Sequence, residues 1–106
     1  MDNLQMLIVE YKKIMNFLFE NKKYHELKDK NIIAVEKLVL DTLLKKYTYM
    51  ELKPKLKTWR TLNFLLAEKN RFTTKRWIEK NGELNRLRVY TINKTTFFSL
   101  KNEFNF

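Results

Sequence analysis

Asn81-Gly82 constrains the fold of this chain more than any other pair of residues, and Gly82 is its only glycine. A two-residue type I′ turn needs positive φ at both central positions, and Asn-Gly is the pair that adopts it at least cost. Both flanks, TTKRWIEK and ELNRLRVYTI, mix β-formers with arginine and lysine. The segment is therefore expected to be a basic β-hairpin. With Asn81 and Gly82 as the loop, Trp77 falls opposite Arg86, Lys75 opposite Arg88 and Thr73 opposite Tyr90, all on one face. Phe72, Ile78, Leu87 and Val89 fall on the other. A three-residue turn with Gly82 in a bulge would shift that register. A lysine directly across from an arginine costs stability, so such a face makes sense where an anion covers it.

The charge distribution points the same way. Residues 1–52 carry nine Lys/Arg against eight Asp/Glu, and residues 95–106 are neutral. Residues 53–94 carry twelve against three, a surplus of nine out of the total +10. A surplus confined to one segment reads as a binding surface, with polyphosphate as the expected target.

At 106 residues, 44% hydrophobic and without cysteine, the chain is expected to form one domain with a real core and no disulfide or thiolate metal site. Lys12 and Lys13 interrupt the N-terminal apolar run, so neither a signal peptide nor a membrane anchor is expected, and a cytoplasmic location follows.

Leu4 to about Glu20 reads as a helix, because Leu7, Ile8, Tyr11, Ile14, Met15 and Leu18 recur at three- and four-residue steps. Met6, Val9, Phe17 and Phe19 add apolar surface outside that stripe. They fit either a deeply buried helix or one that shares a homodimer interface. Residues 21–31 read as a polar loop, and Ile32 to Lys46 as a second helix burying Val35, Val39, Leu40, Leu43 and Leu44. Thr48 and Glu51 make a T-x-x-E capping box, which predicts a helix from Tyr49, brief or distorted because of Pro54. Thr58 suits the N-cap of a third helix running to about Lys69. In the tail, residues 93–106, Phe97, Phe98, Leu100 and Phe104 are expected to cap the core or the N-terminal helix.

A helix with its N-terminus free fits the major groove, where Arg60 is suited to guanine and Asn63 to adenine. Thr58 and the first backbone N–H groups suit a phosphate. Lys53, Lys55 and Lys57 are candidate phosphate contacts beside it. On the hairpin, Lys75, Lys80, Asn81, Arg86 and Arg88 are candidate DNA contacts. Trp59 and Trp77 suit either core packing or a base or sugar contact. His25, the only histidine, is expected in a surface loop.

This order, with E-L-x-x-x-L and then T-x-x-T-L from Glu51 to Leu66, resembles a winged helix-turn-helix over residues 32–92. The resemblance implies an α+β fold with an extra N-terminal helix and loop (residues 1–31) and the hairpin as wing. Pro54, a short turn after Leu56 and Lys57 in a frequent glycine position depart from the pattern. Lys-, Asn-, Ile- and Phe-rich usage resembles low-GC bacteria and their plasmids, whose small winged-helix proteins include conjugation (relaxosome) accessory proteins and transcriptional regulators. The resemblance implies a sequence-specific double-stranded DNA-binding protein. No metal cluster, histidine pair, P-loop or nucleophile–base pair can be assembled from the sequence, so a non-enzymatic role is expected, one that recruits a larger enzyme where DNA is processed. A homodimer is expected because one module reads few base pairs. No cofactor is implied.

Two rival classes stay open at this point. A toxin-type ribonuclease acting through Arg, Lys and Tyr would use Tyr90 near Arg86 and Arg88. A protein-interaction adaptor would present its basic face to an acidic partner and use the N-terminal helix as the contact.

Overall fold

The computed structural model describes residues 2–104, with the side chain of Phe104 outside that description. Within it, four helices pack with a five-stranded antiparallel sheet in an α+β arrangement. In chain order the elements are α1 (Asn3–Glu20), β1 (His25–Glu26), β2 (Ile32–Glu36), α2 (Lys37–Lys45), α3 (Leu52–Thr61), β3 (Leu65–Leu66), β4 (Thr74–Lys80), β5 (Glu83–Asn93) and α4 (Lys94–Phe104). No helix among the described residues is long and apolar enough to cross a membrane.

α1 opens on a capping box in which the Gln5 amide donates to Asp2 and the Asp2 amide donates to the Gln5 side chain. Its buried residues Leu7, Tyr11, Ile14, Met15 and Leu18 lie on the expected stripe. The helix belongs to the main core rather than standing outside it. Tyr11 lies flat on Phe64, ring centroids 3.7 Å apart, and meets Trp59 and Phe97 edge-on.

Ile32–Glu36 is a strand and not the first turn of a helix. Ile33, Ala34 and Val35 are all buried, as expected of a β-branched run covered on both faces. β2 pairs with β5, placing Ile33 opposite Ile92 and Val35 opposite Tyr90. Only Lys37–Lys45 of the expected second helix is helical.

The short helix expected from Tyr49 and the third helix expected from Thr58 to Lys69 are replaced by one helix, Leu52–Thr61. The Thr48–Glu51 capping box does not form, and α3 starts at Leu52 with no side-chain cap. Pro54 lies in the first turn, where its missing N–H would have had no intrahelical partner. It therefore opens this helix instead of ending one. Thr58, expected as an N-cap, is internal, its Oγ1 donating to the Pro54 carbonyl at 3.0 Å. α3 ends well before Lys69 because Asn63 takes a left-handed conformation (φ 63°). The Phe64 amide then closes back on the Trp59 carbonyl at 2.8 Å, a Schellman-type stop.

β5 organises the sheet. β2 lies along one edge, while β3 and then β4 lie along the other, in line but separated by an excursion of residues 67–73. One face carries Ile33, Val35, Leu65, Tyr90 and Ile92 into the main core with the helices. The back face carries a smaller cluster of Ala34, Ile78 and Val89, flanked by Leu27 and Leu87. α4 begins under an Asn93 side chain that accepts from the Thr96 amide. It buries Phe97 and partly covers Leu100, as expected of the tail, whereas Phe98 is exposed and touches the rim of the aromatic cluster at Phe19 and Phe97. The Phe104 side chain lies outside the described residues.

Candidate nucleic-acid interface

The hairpin has the expected register. Asn81 (φ 55°) and Gly82 (φ 80°) form the loop. Lys75 faces Arg88, Trp77 faces Arg86 and Glu79 faces Leu84 across the ribbon. Thr73 lies just outside β4, and the Arg88 guanidinium donates to its Oγ1 at 3.1 Å.

The path of the ribbon was not evident from its register. Strands rise about 3.4 Å per residue, so six residues separate Val89 from Glu83 by about 20 Å along β5. Glu36 pairs with Val89 and Lys80 with Glu83, yet Lys80 Nζ lies 3.4 Å from Glu36 Oε1. A flat sheet would hold these side chains further apart than they can reach. The hairpin therefore coils over the back face, where Ile78 is buried. The Nε2–H of His25 completes the clasp, donating to Glu36 Oε2 at 3.0 Å. This hydrogen bond holds the Glu36 carboxyl below its ordinary value of 4.5; partial burial opposes the shift and Lys80 reinforces it. Lys80 is thus committed to Glu36, and His25 belongs to an inter-strand cluster.

Coiling leaves the opposite face of the hairpin convex and uncovered. Lys75, Trp77, Leu84, Arg86 and Arg88 are exposed there, and the register places Glu79 on the same face. On α3, Lys53, Lys57 and Thr61 follow one another at four-residue steps on the outward side, with Thr58 half-buried beside them. Among the described residues, none of Lys53, Lys57, Lys75, Arg86 and Arg88 makes an ion pair.

Several expected contacts lie elsewhere. Lys55 is fully buried. Its ammonium donates to Glu10 Oε2 at 2.8 Å, the Leu44 carbonyl at 2.6 Å and the Tyr47 carbonyl at 2.7 Å. Tyr49 donates to the other Glu10 oxygen at 2.9 Å, and its ring lies 4.4 Å from the ammonium. All three ammonium protons are satisfied, so Lys55 pins the α2–α3 turn to α1 and is closed to phosphate. Trp59 is core, its indole N–H lacking an acceptor among the described residues. Arg60 turns toward the excursion, donating to the Glu68 and Lys69 carbonyls at 3.1 and 3.0 Å and stacking 4.9 Å from Phe72. Asn63 is exposed but beyond the helix end, so it shares no helical reading face with Arg60.

Tyr90 is buried beneath α2, its hydroxyl donating to Asp41, which also accepts from Lys37 at 2.5 Å. Burial first, then the Asp41 hydrogen bond and charge, push this hydroxyl above its ordinary value of 10. The candidate ribonuclease tyrosine is therefore enclosed and held protonated. The Glu10–Lys55 and Asp41–Tyr90 pairs escaped the sequence reading because their members lie 45 and 49 residues apart. The His25–Glu36 pair escaped it because Ile32–Glu36 was read as helix.

The chain matches no protein-family model and no curated protein.

Proposed function

We propose that this chain is a non-enzymatic, sequence-specific double-stranded DNA-binding protein of winged helix-turn-helix design. The observation that carries the reading is that exposed cations without acidic partners gather on two elements, Lys53 and Lys57 on α3 and Lys75, Arg86 and Arg88 on one face of the hairpin. Charges set aside from internal pairing suit a polyanion better than they suit the fold. The element order supports the design. α1, β2, α2, α3, β3–β4 and β5 follow the helix–strand–helix–helix–hairpin order of winged helices, and β5 lies between β2 and β4. In this assignment α2 and α3 are the helix-turn-helix, α3 is the recognition helix and β4–β5 is the wing. The readable face of α3 becomes Lys53, Lys57, Thr58 and Thr61.

The role we propose is that of an accessory protein at a plasmid transfer origin, recruiting a larger DNA-processing enzyme, or of a small transcriptional regulator. It acts in the cytoplasm as a homodimer, because one module reads few base pairs. Phe17 and Leu38, which line one apolar groove between α1 and α2, offer a surface for the second copy.

The test is selection of bound sequences from a random duplex library, followed by titration of the winner across salt concentrations. An enriched motif and a slope of log K against log salt of about −4.5 per protein copy are expected from five phosphate contacts. Arg86→Ala with Arg88→Ala should flatten that slope by about 2. Binding that is uniform across sequences, or a slope unchanged in the double variant, would overturn the reading.

A further inference from the structure

The convex face of the hairpin holds more than phosphate binding requires. Trp77 is 62% exposed and Leu84 65% exposed, although a tryptophan in so small a domain could have been placed in the core, as Trp59 is. Trp77 sits opposite Arg86, with the Lys75–Arg88 pair on one side along the ribbon and the Glu79–Leu84 pair on the other. The register puts all six on one face, and coiling toward the back face turns that face outward. An intact duplex offers charged phosphates and polar base edges, neither of which matches an indole plane. A base outside the stack offers a flat π-face, and aromatic side chains among cations are what single-stranded nucleic acid binds.

Building on the DNA-binding reading above, we propose that Trp77 and Leu84 form a stacking platform for an unpaired base. The preferred ligand is then duplex DNA that contains unpaired nucleotides, not an uninterrupted duplex. Arg86, Arg88 and Lys75 hold the phosphates on either side, and α3 holds the adjoining duplex. Charge complementarity selects nucleic acid as the occupant. A neutral apolar partner would leave two arginines and a lysine on the same face unmatched, and an acidic one would match them but offer no flat π-face to the exposed Trp77.

Three ligands of one sequence decide the matter: a blunt duplex, the same duplex with a short internal loop of unpaired thymines, and the single strand. Kd is measured by anisotropy for the wild type, Trp77→Phe and Trp77→Ala, alongside indole fluorescence. Trp59 is enclosed in the core, so quenching by a stacked base reports on Trp77. Stacking one base on an aromatic ring strengthens binding by at least about 5-fold. The wild type should therefore prefer the looped over the blunt duplex by about that factor, with quenching by the looped and single-stranded DNA and none by the blunt duplex. Trp77→Phe should keep most of the preference, and Trp77→Ala should bring the ratio near one. Equal affinity for looped and blunt DNA in the wild type overturns the stacking platform while leaving the duplex reading intact. A preference that survives Trp77→Ala overturns it too, and so does a homodimer that sedimentation shows to depend on Trp77, since the second copy would then occupy the face. Loss of salt-dependent binding to all three ligands overturns the duplex reading itself, and the platform with it.

Discussion

Lys55 shows what a single residue in this chain can do against expectation. In a stretch reading KPKLK it has the same local context as Lys53 and Lys57, yet it alone is buried, because Glu10 and two carbonyls at the α2–α3 turn offer three acceptors for three protons. Removing one partner of a buried ion pair strands the other charge and costs about 3–5 kcal/mol. Lys55→Met is expected to lower the urea unfolding free energy by that amount. Glu10→Met with Lys55→Met should cost less than the two single variants summed, and simple additivity would show that the pair is not coupled. Glu36 gives a pH-dependent counterpart. Its carboxyl is held below 4.5 mainly by the His25 hydrogen bond. A depressed carboxylate stabilises the fold above its unfolded pKa and loses that contribution as pH falls through its folded value. The wild type should thus lose stability below about pH 4.5, and Glu36→Gln should start lower at pH 7 and decline less steeply. Parallel stability curves for the two proteins would contradict the clasp.

Among the elements, legibility followed how much of the conformational decision was local. The hairpin could be read to the residue because Asn-Gly brings its own positive φ, and the alternation on either side needs no distant partner. The run Ile-Ile-Ala-Val could not, since a short apolar run suits strand and buried helix equally. It is a strand because β5, almost 60 residues later, offers an edge. Pro54 and Asn63 misled in opposite directions: a proline in the first turn starts a helix, and an asparagine in the left-handed region ends one. Arg60 would face DNA from a helix running on to Lys69, but α3 ends at Thr61. In its actual place it organises the excursion between β3 and β4 through two carbonyls and the Phe72 ring. Arg60→Ala should therefore speed amide exchange across residues 67–73 and cost about 1–2 kcal/mol. It should leave the ranking of duplex sequences unchanged. An altered ranking with unchanged exchange would restore Arg60 as a reader of bases.

At the scale of the molecule, the sequence located the basic half of the chain but not which charges were free. Of the thirteen residues expected at DNA, Lys55, Trp59, Arg60 and Lys80 are engaged with the protein itself. Each partner lies in another element or at the far end of the same segment, which no local pattern encodes. What remains available is divided between α3 and the convex hairpin face, and that division has a length. The molecule measures 44 Å along its longest axis, so one duplex held by both elements meets the protein over at most about 13 base pairs at 3.4 Å each. If α3 and the hairpin grip one duplex together, affinity per protein copy should rise with duplex length and level off at about 10–13 base pairs. Shorter duplexes engage only one of the two elements. Arg86→Ala with Arg88→Ala should move the plateau to shorter duplexes, because α3 alone then remains to be satisfied. Lys53→Ala with Lys57→Ala should do the same from the other side. A plateau already reached near 6 base pairs in the wild type would mean that one element binds by itself, and that the other cationic face serves a different strand.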